Sequence, residues 1–549
     1  MTNPRSISGA VQTCLYAALL GTLFFIANNI AIIAAILAPA SGTIPQYFLR
    51  NTDTPEYLTG LQSSGSGLLL RNYFSPWRVP DAIYTPLLWS TGRLTAALPW
   101  SLAVRYHAAH LLLYIAASGA LIVVFRHFLP TRNQRLAGAI VVLCSVPWLS
   151  IGYAITRILG RSPGFFSLGL FQSTYITADG LARGGTSNSL TLTFGTLTVL
   201  LAVYFLARRL ETGDSKWIWR AAAVNFISAL FHPFEFMPIT LSGLVLLTLE
   251  ARHQRRWRRA IQEGTILALP ALVAILPYFL LLRRFEWLRD ARTGLDMDFN
   301  PASVLLMFGL PAFMGVYLLL MRFRPQTRSD QVLIVWCLSC LALLAPKTLG
   351  PFHIVDGYVY VNAALVVRLL STPKASAILV PHGKAALAAA VVVVSLCILA
   401  QTFTFIQLFR DGRSDSPELL LSAVVPRDEV AVREWLRKHA QPDDVVLAPG
   451  VAAAWMATLP IHTLAAHEYF SISFDKQYEQ SGRFFSGRMT TPEADAFERE
   501  YGIRWVMVPP GSPAFRYFSG EQPVFSIGGT AVFERPDNQI RDYASVKSG

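Results

Sequence analysis

The sequence predicts a polytopic α-helical membrane protein, with about eleven transmembrane helices followed by a small extracytoplasmic α/β domain. Three observations carry that expectation. The chain is 53% hydrophobic and only 15% charged, which is more apolar surface than one soluble core buries. Apolar runs of about 17–25 residues, the length of helix that crosses a bilayer, recur between Val11 and Leu408. The charge also changes sign along the chain, net +17 before Arg410 and −4 from Arg410 onward.

Taken in order, the expected spans lie near Val11–Ala38, Val104–Phe125, Leu136–Tyr153, Leu190–Ala207, Ile218–Phe231, Pro233–Leu249, Thr265–Leu282, Ala302–Met321, Val332–Pro346, Tyr358–Leu370 and Ala385–Leu408. Ala38-Pro39-Ala40 has the look of a signal cleavage site. The run before it is longer than the apolar part of a signal peptide, so it is expected to be an uncleaved first span. The five cysteines all fall in apolar runs, which implies no disulfide framework. Cys337 and Cys340 have no histidine or carboxylate beside them and are expected to pack rather than bind zinc.

Orientation follows from the basic loops. With the N-terminus inside, Arg126/Arg132/Arg135, Arg208/Arg209/Lys216/Arg220, Arg252/Arg255/Arg256/Arg258/Arg259, Arg322/Arg324/Arg328 and Lys374/Lys384 all fall on the cytoplasmic side. The excess base therefore belongs to membrane topology and not to a nucleic-acid patch. The segment Arg252–Arg259 also suits anionic lipid, although a topology signal explains it sufficiently. Ten of the fifteen acids before Arg410 then lie outside, and function is to be sought there.

The expected domains are a transmembrane part, residues 1–409, with a long first outer loop at 39–105, and an extracytoplasmic α/β domain at 410–549. In the loop, Ile83 to Leu98 suits an interfacial helix. In the tail, helices are expected at Asp428–His439 and Pro492–Tyr501. Strands are expected at Asp444–Ala448, Ile461–Ala466 and Ile503–Val508, with a hairpin around Gly528-Gly529. No P-loop, GxGxxG fingerprint or internal repeat is present.

The candidate chemistry centres on Asp53-Thr54-Pro55-Glu56-Tyr57, two carboxylates in a polar loop at the membrane edge. Partial desolvation there raises a carboxylate's proton affinity and suits it to general-base work. Asp53 equally suits a helix N-cap before Pro55, and Glu56 a favourable first-turn charge. Outer-face cations that suit a phosphate are Arg161, Arg183, Arg292, Lys347 and His353, with Asp179 beside the first two; each alone also suits an interface side chain. His232 and Glu235 flank Pro233 at a turn between spans, where such groups are costly unless they face water or each other. A helix end followed by a helix start accounts for them as well. Trp455, Tyr469, Phe470, Tyr478, Phe484 and Phe485 suit either sugar stacking or core packing.

About eleven spans, an acidic motif in a long first outer loop, and an extracytoplasmic tail together resemble the GT-C superfamily of integral membrane glycosyltransferases. Protein O-mannosyltransferases and the lipid A aminoarabinose transferase belong to it. In the tail the resemblance rests on Val432-Arg433-Glu434-Trp435-Leu436, Asp443-Asp444-Val445-Val446-Leu447 and Tyr501-Gly502-Ile503-Arg504-Trp505-Val506. Many members have adjacent carboxylates where this chain has Asp53-Thr54-Pro55-Glu56. The resemblance implies an inverting glycosyltransferase of a bacterial inner membrane. Its donor would be a polyprenyl-phosphate sugar and its acceptor an extracytoplasmic glycan, lipid or protein. Asp53 and Glu56 would be catalytic; Tyr57, Arg161, Asp179, Arg183, His232, Glu235, Arg292, Lys347 and His353 would bind substrate; no metal or other cofactor is expected. A transporter or lipid flippase, or a non-catalytic cell-envelope assembly protein, is the competing class.

Overall fold

A computed structural model describes residues 4–37, 42–45, 53–62, 67–143, 155–156, 158–160, 190–292, 325, 327–344, 358–372, 392, 424–467, 470–535 and 538–544. The chain divides into two compact units. One is built from residues 1–30, 107–276 and 297–407, the other from residues 31–106, 277–296 and 408–549.

The first unit is helical. Its helices include α1 (Pro4–Asn28), α5 (Leu102–Phe128), α6 (Arg132–Leu143), α7 (Leu190–Thr212), α8 (Lys216–Phe231), α9 (Phe236–Gln254), α10 (Trp257–Arg284), α12 (Arg328–Leu344) and α13 (Tyr358–Leu370). Among the described residues three helices are long and apolar enough to cross a membrane, namely α5, α7 and α10, with shorter apolar helices at Val11–Ile26 and Tyr358–Leu370. The expectation of eleven spans is thus met in part; Ala302–Met321 lies outside the described residues, as does Ala385–Leu408 apart from Val392. The first expected span is divided, α1 ending at Asn28 and α2 covering Ile30–Leu37. At the break, Asn29 donates its side-chain amide to the Phe25 carbonyl at 2.8 Å.

The core of this unit gathers Val199, Leu200, Val203 and Ala207 of α7 with Trp336 of α12 and Tyr358 and Tyr360 of α13. Cys337 and Cys340 are buried and unoxidised in that core. At one end of the bundle the turns are tied by buried charge. Arg209 of α7 meets Glu263 of α10 at 2.6 Å and Glu250 of α9 at 3.3 Å. Glu263 also takes Arg259 at 3.0 Å and the Ser215 hydroxyl at 3.2 Å. Arg368 of α13 meets Asp330 of α12 at 2.7 Å.

The second unit combines the first loop with the tail. Its five-stranded sheet runs β7-β6-β8-β10-β9, with β6 (Val445–Leu447), β7 (His462–Thr463), β8 (Ile503–Val508), β9 (Phe525–Ile527) and β10 (Thr530–Glu534). Strand β6 pairs parallel with β7 and β8, while β10 pairs antiparallel with β8 and β9. Gly528 and Gly529 both take positive φ, 57° and 90°, as a two-residue hairpin turn requires. Helix α14 (Arg427–His439) has Asp428 and Glu429 in its first turn and Arg437, Lys438 and His439 in its last, matching the helix dipole. Helix α17 (Thr491–Glu500) opens with a capping box between Thr490 and Glu493. The tail also contains α15 (Val451–Met456) and α16 (Phe474–Phe485), which the sequence pattern leaves unassigned.

Four short pairings organise the first loop. Strand β1 (Thr43–Pro45) pairs with β5 (Val424–Pro426), and β3 (Trp77–Arg78) with β11 (Arg541–Asp542). Strand β2 (Leu69–Leu70) pairs with β4 (Ile83–Tyr84). The fourth is a single strand-like step: the Thr463 amide donates to the Tyr73 carbonyl at 3.0 Å. The interfacial helix expected over Ile83–Leu98 therefore begins later, as α4 (Pro86–Thr95), with proline in its first turn. Ile83 and Tyr84 are strand instead, since β2 offers them ladder partners that a helix would forgo.

Candidate functional site

Helix α3 (Asp53–Gln62) starts at Asp53 itself. Thr54, Pro55, Leu58, Thr59, Gly60 and Leu61 are buried, so α3 is seated along one side. Thr59 donates its hydroxyl to the Pro55 carbonyl at 2.8 Å within the helix. A Cβ on Gly60 would stand 2.9 Å from the Leu88 Cβ of α4, so the glycine allows the two helices to close. The side chain of Asp53 lies outside the described residues. Glu56, one turn on, is described and is 18% exposed. Tyr57 stacks on Tyr106, with centroids 6.5 Å apart and planes at 13°.

Glu56 reaches the tail. Its Oε2 stands 3.5 Å from Nε2 of His467, whose side chain is fully buried. The imidazole is held edge-on by Phe74 (5.3 Å, 66°) and tilted against Phe470 (4.8 Å, 42°). Its backbone is held too. Ser471 Oγ accepts from the amides of Ala466 and His467 at 3.1 and 3.0 Å and donates to the Phe74 carbonyl at 2.6 Å. Asn72 donates to the Phe470 carbonyl at 2.9 Å and accepts from the Phe74 amide at 3.0 Å. The tight turn before His467 places Ala465 at φ 50°, and Gln477 accepts the Ala465 amide at 2.9 Å. A buried imidazole this constrained orients the carboxylate facing it.

A second contact set lies beside the first. The carboxylate of Asp443 takes Arg71 at 2.8 Å and Arg78 at 2.7 Å, one on each oxygen. All three are partly exposed, so the pairs give register more than stability. His462 is buried and its Nδ1 bonds the Ser75 carbonyl at 2.8 Å. Burial pushes its pKa down to about 4, against a smaller upward effect of that hydrogen bond.

The helical unit carries its own polar pair. At the turn between α8 and α9, Nδ1 of His232 stands 2.6 Å from Oε1 of Glu235. Glu235 is fully buried and His232 nearly so. Ser228 Oγ lies 3.5 Å from the other Glu235 oxygen, and the His232 amide donates to the Ser228 carbonyl at 2.8 Å. Phe234 packs edge-on to the imidazole at 5.3 Å. At this same end of the bundle, Phe231 meets Phe194 of α7, and the adjacent Thr193 bonds Nε2 of His110 at 2.9 Å.

Among the other expected site residues, Arg161, Asp179, Arg183, Lys347 and His353 lie outside the described residues. Arg292 ends α11 (Glu286–Arg292), and its side chain is likewise outside them. Of the tail aromatics, Trp455, Phe470 and Phe484 are core residues, with Phe485 packed against them. Tyr478 is exposed and stacks on Phe474 at 5.6 Å; Tyr469 lies outside the described residues. No group of three potential metal ligands occurs among the described residues.

Sequence reasoning missed His467, Asn72 and Ser471. His467 follows Leu464-Ala465-Ala466 with no motif around it, and its partners Glu56 and Phe74 stand hundreds of residues away in the chain. No family model matches the chain, and no curated protein matches it. Among solved structures it is similar to the archaeal oligosaccharyltransferase AglB from Archaeoglobus fulgidus, solved with an inhibitory peptide and a dolichol-phosphate. That similarity has a TM-score of 0.45 at 12% identity, over 92% of this chain and 70% of that one. An Archaeoglobus fulgidus oligosaccharyltransferase solved with zinc and sulfate gives 0.42 at 12% identity, over 90% and 68%.

Proposed function

We propose that the chain is an inverting membrane glycosyltransferase that moves a sugar from a polyprenyl-phosphate donor to an extracytoplasmic acceptor. The Glu56–His467 contact is the observation that carries this reading. It puts an oriented, partly buried carboxylate on α3, one helical turn from Asp53. Transfer needs a base there. Asp53 takes the proton from the acceptor hydroxyl as its oxygen bonds the anomeric carbon, and the bond from that carbon to the phosphate oxygen breaks. The polyprenyl phosphate leaves with the electron pair, and one displacement inverts the centre. Glu56 keeps its orientation through His467 and supports Asp53. The cations Arg161, Arg183, Arg292, Lys347 and His353 are the candidates for the leaving phosphate, with Asp179 and Tyr57 toward the sugar. His232 and Glu235 form a preorganised acid–base pair in the helical unit and belong to the same proposal as substrate-binding groups.

The protein then sits in a bacterial inner membrane with residues 410–549 outside, where they help to choose the acceptor. The test is label transfer from a polyprenyl-phosphate sugar by the purified full chain. Loss of the base in Asp53→Asn is expected to lower turnover by about 10²–10⁴-fold. Transfer at the wild-type rate in that variant would remove Asp53 from the mechanism.

A further inference from the structure

The turn between α9 and α10 carries a charge that neither the fold nor the proposed chemistry uses. Arg252, Arg255, Arg256 and Arg258 are all exposed there. The neighbouring acids are engaged by cations set further in: Glu263 by Arg209 and Arg259, Glu250 by Arg209, and Asp330 by Arg368. Glu211 meets His127 and Arg208, and Asp214 meets Lys216 at 2.6 Å. Among the described residues, none of the four turn arginines has a carboxylate within ion-pair range. A topology signal asks only for positive charge on one side of the membrane. It does not ask that the local acids be engaged by other cations and these four arginines be left exposed.

The surroundings name what faces these arginines. Trp257 sits inside the cluster and is 51% exposed. From it an exposed apolar stripe runs along α10 through Ile261, Leu269, Leu272, Val273 and Leu276, on a helix long and apolar enough to span. At the start of α8, Trp217 lies under Arg208, Lys216 and Arg220, with Arg220 nearest at 4.6 Å, while Trp219 is exposed. Guanidinium groups and indoles at the head of an exposed apolar stripe are the side chains that the headgroup zone of a bilayer favours.

We propose that this turn binds the phosphate headgroups of anionic phospholipid, with Arg252, Arg255, Arg256 and Arg258 supplying forked donors and Trp257 seating the acyl–glycerol boundary. Planar guanidinium suits a phosphodiester, and the charge complementarity is one-sided. Titration of the full chain in neutral detergent with phosphatidylglycerol or phosphatidylcholine, read by native mass spectrometry, tests it. The wild type is expected to retain phosphatidylglycerol selectively and to lose it as salt is raised. The double variant R255Q/R256Q is expected to bind about 25-fold more weakly, at about fivefold per arginine, and W257L severalfold more weakly. Equal retention of the two lipids, salt-independent retention, or wild-type affinity in both variants overturns the proposal. A parallel titration with inorganic phosphate that displaces the lipid with the same arginine dependence would assign the turn to a soluble phosphate and overturn it as well. The salt response needs no variant, so misfolding of either variant leaves the test intact.

Discussion

His462 shows how one buried side chain sets a condition on a whole contact. It is 1% exposed, bonded through Nδ1 to the Ser75 carbonyl, and faced by Tyr73 at 5.4 Å. Arg71 and Arg78 disfavour its protonation and Asp443 favours it, but burial dominates and holds the pKa at about 4. A histidine whose folded pKa is depressed binds its proton more readily when unfolded. Stability from the neutral form is therefore complete above the ordinary value near 6.5 and is lost as pH falls from there toward 4. The loss is at most about 3 kcal/mol, since each tenfold change in proton affinity is worth about 1.4 kcal/mol. Protease protection of the second unit should weaken over that window, and His462→Gln should flatten the profile. A profile unchanged by the substitution would assign the acid sensitivity elsewhere. His467 differs in that a carboxylate oxygen, from Glu56, stands 3.5 Å from its ring nitrogen. The same residue type a short way along the chain has a different electrostatic neighbour, which no reading of histidine in isolation separates. Glu56 is legible in the sequence beside Asp53, whereas its partner is not.

At the scale of elements, the periodic signals are legible and the close approaches are not. The apolar runs at Leu190–Ala207 and Tyr358–Leu370 form α7 and α13, because a continuous apolar segment satisfies its backbone only as a helix. In the tail, the amphipathic run before His439 and the Gly528-Gly529 turn form α14 and the β9–β10 hairpin. The crossing of α1 and α5 is another matter. A Cβ on Gly21 would stand 2.6 Å from the Ile115 Cα and 2.7 Å from its amide nitrogen, and Gly119 comes within 3.5 Å of the Ala17 Cβ by the same measure. Two backbones meet there with no room for a side chain, as small residues permit between membrane helices. Gly21→Ala should force the pair apart at a cost of about 1–3 kcal/mol. The midpoint of thermal unfolding should fall, and Gly119→Ala should be milder because its contact is ordinary van der Waals distance. Equal effects of the two would show that the spacing at Gly21 is not what holds the crossing.

At the scale of the molecule, the second unit joins segments that the sequence assigns to different domains. A boundary at 409/410 follows from a change in composition, which is a bulk signal. It does not detect that residues 69–84 supply β2, β3, β4 and the Asn72 and Phe74 contacts to the tail. Trp77, Val79, Ala82 and Ile83 share one hydrophobic core with Val445, Leu447 and Tyr501. Residues 410–549 made alone would expose those faces and leave the Tyr73, Phe74 and Ser75 carbonyl partners unmade. They should be less protected from proteolysis than the same residues in the full chain, and adding residues 31–106 in trans should restore protection. A tail that resists protease equally well alone would mean that its own sheet suffices.

The sequence by itself determined that the chain carries helices long and apolar enough to cross a membrane, α7 among them, and that two carboxylates stand close together at Asp53 and Glu56. It did so because hydrophobic period, charge asymmetry and turn chemistry act over a few residues or over bulk composition. Only the tertiary structure decided that Glu56 faces His467, that Asp443 takes both Arg71 and Arg78, and that His232 and Glu235 meet in a buried pair. Contacts such as the first two span hundreds of residues and depend on packing geometry, so they leave no periodic trace along the chain.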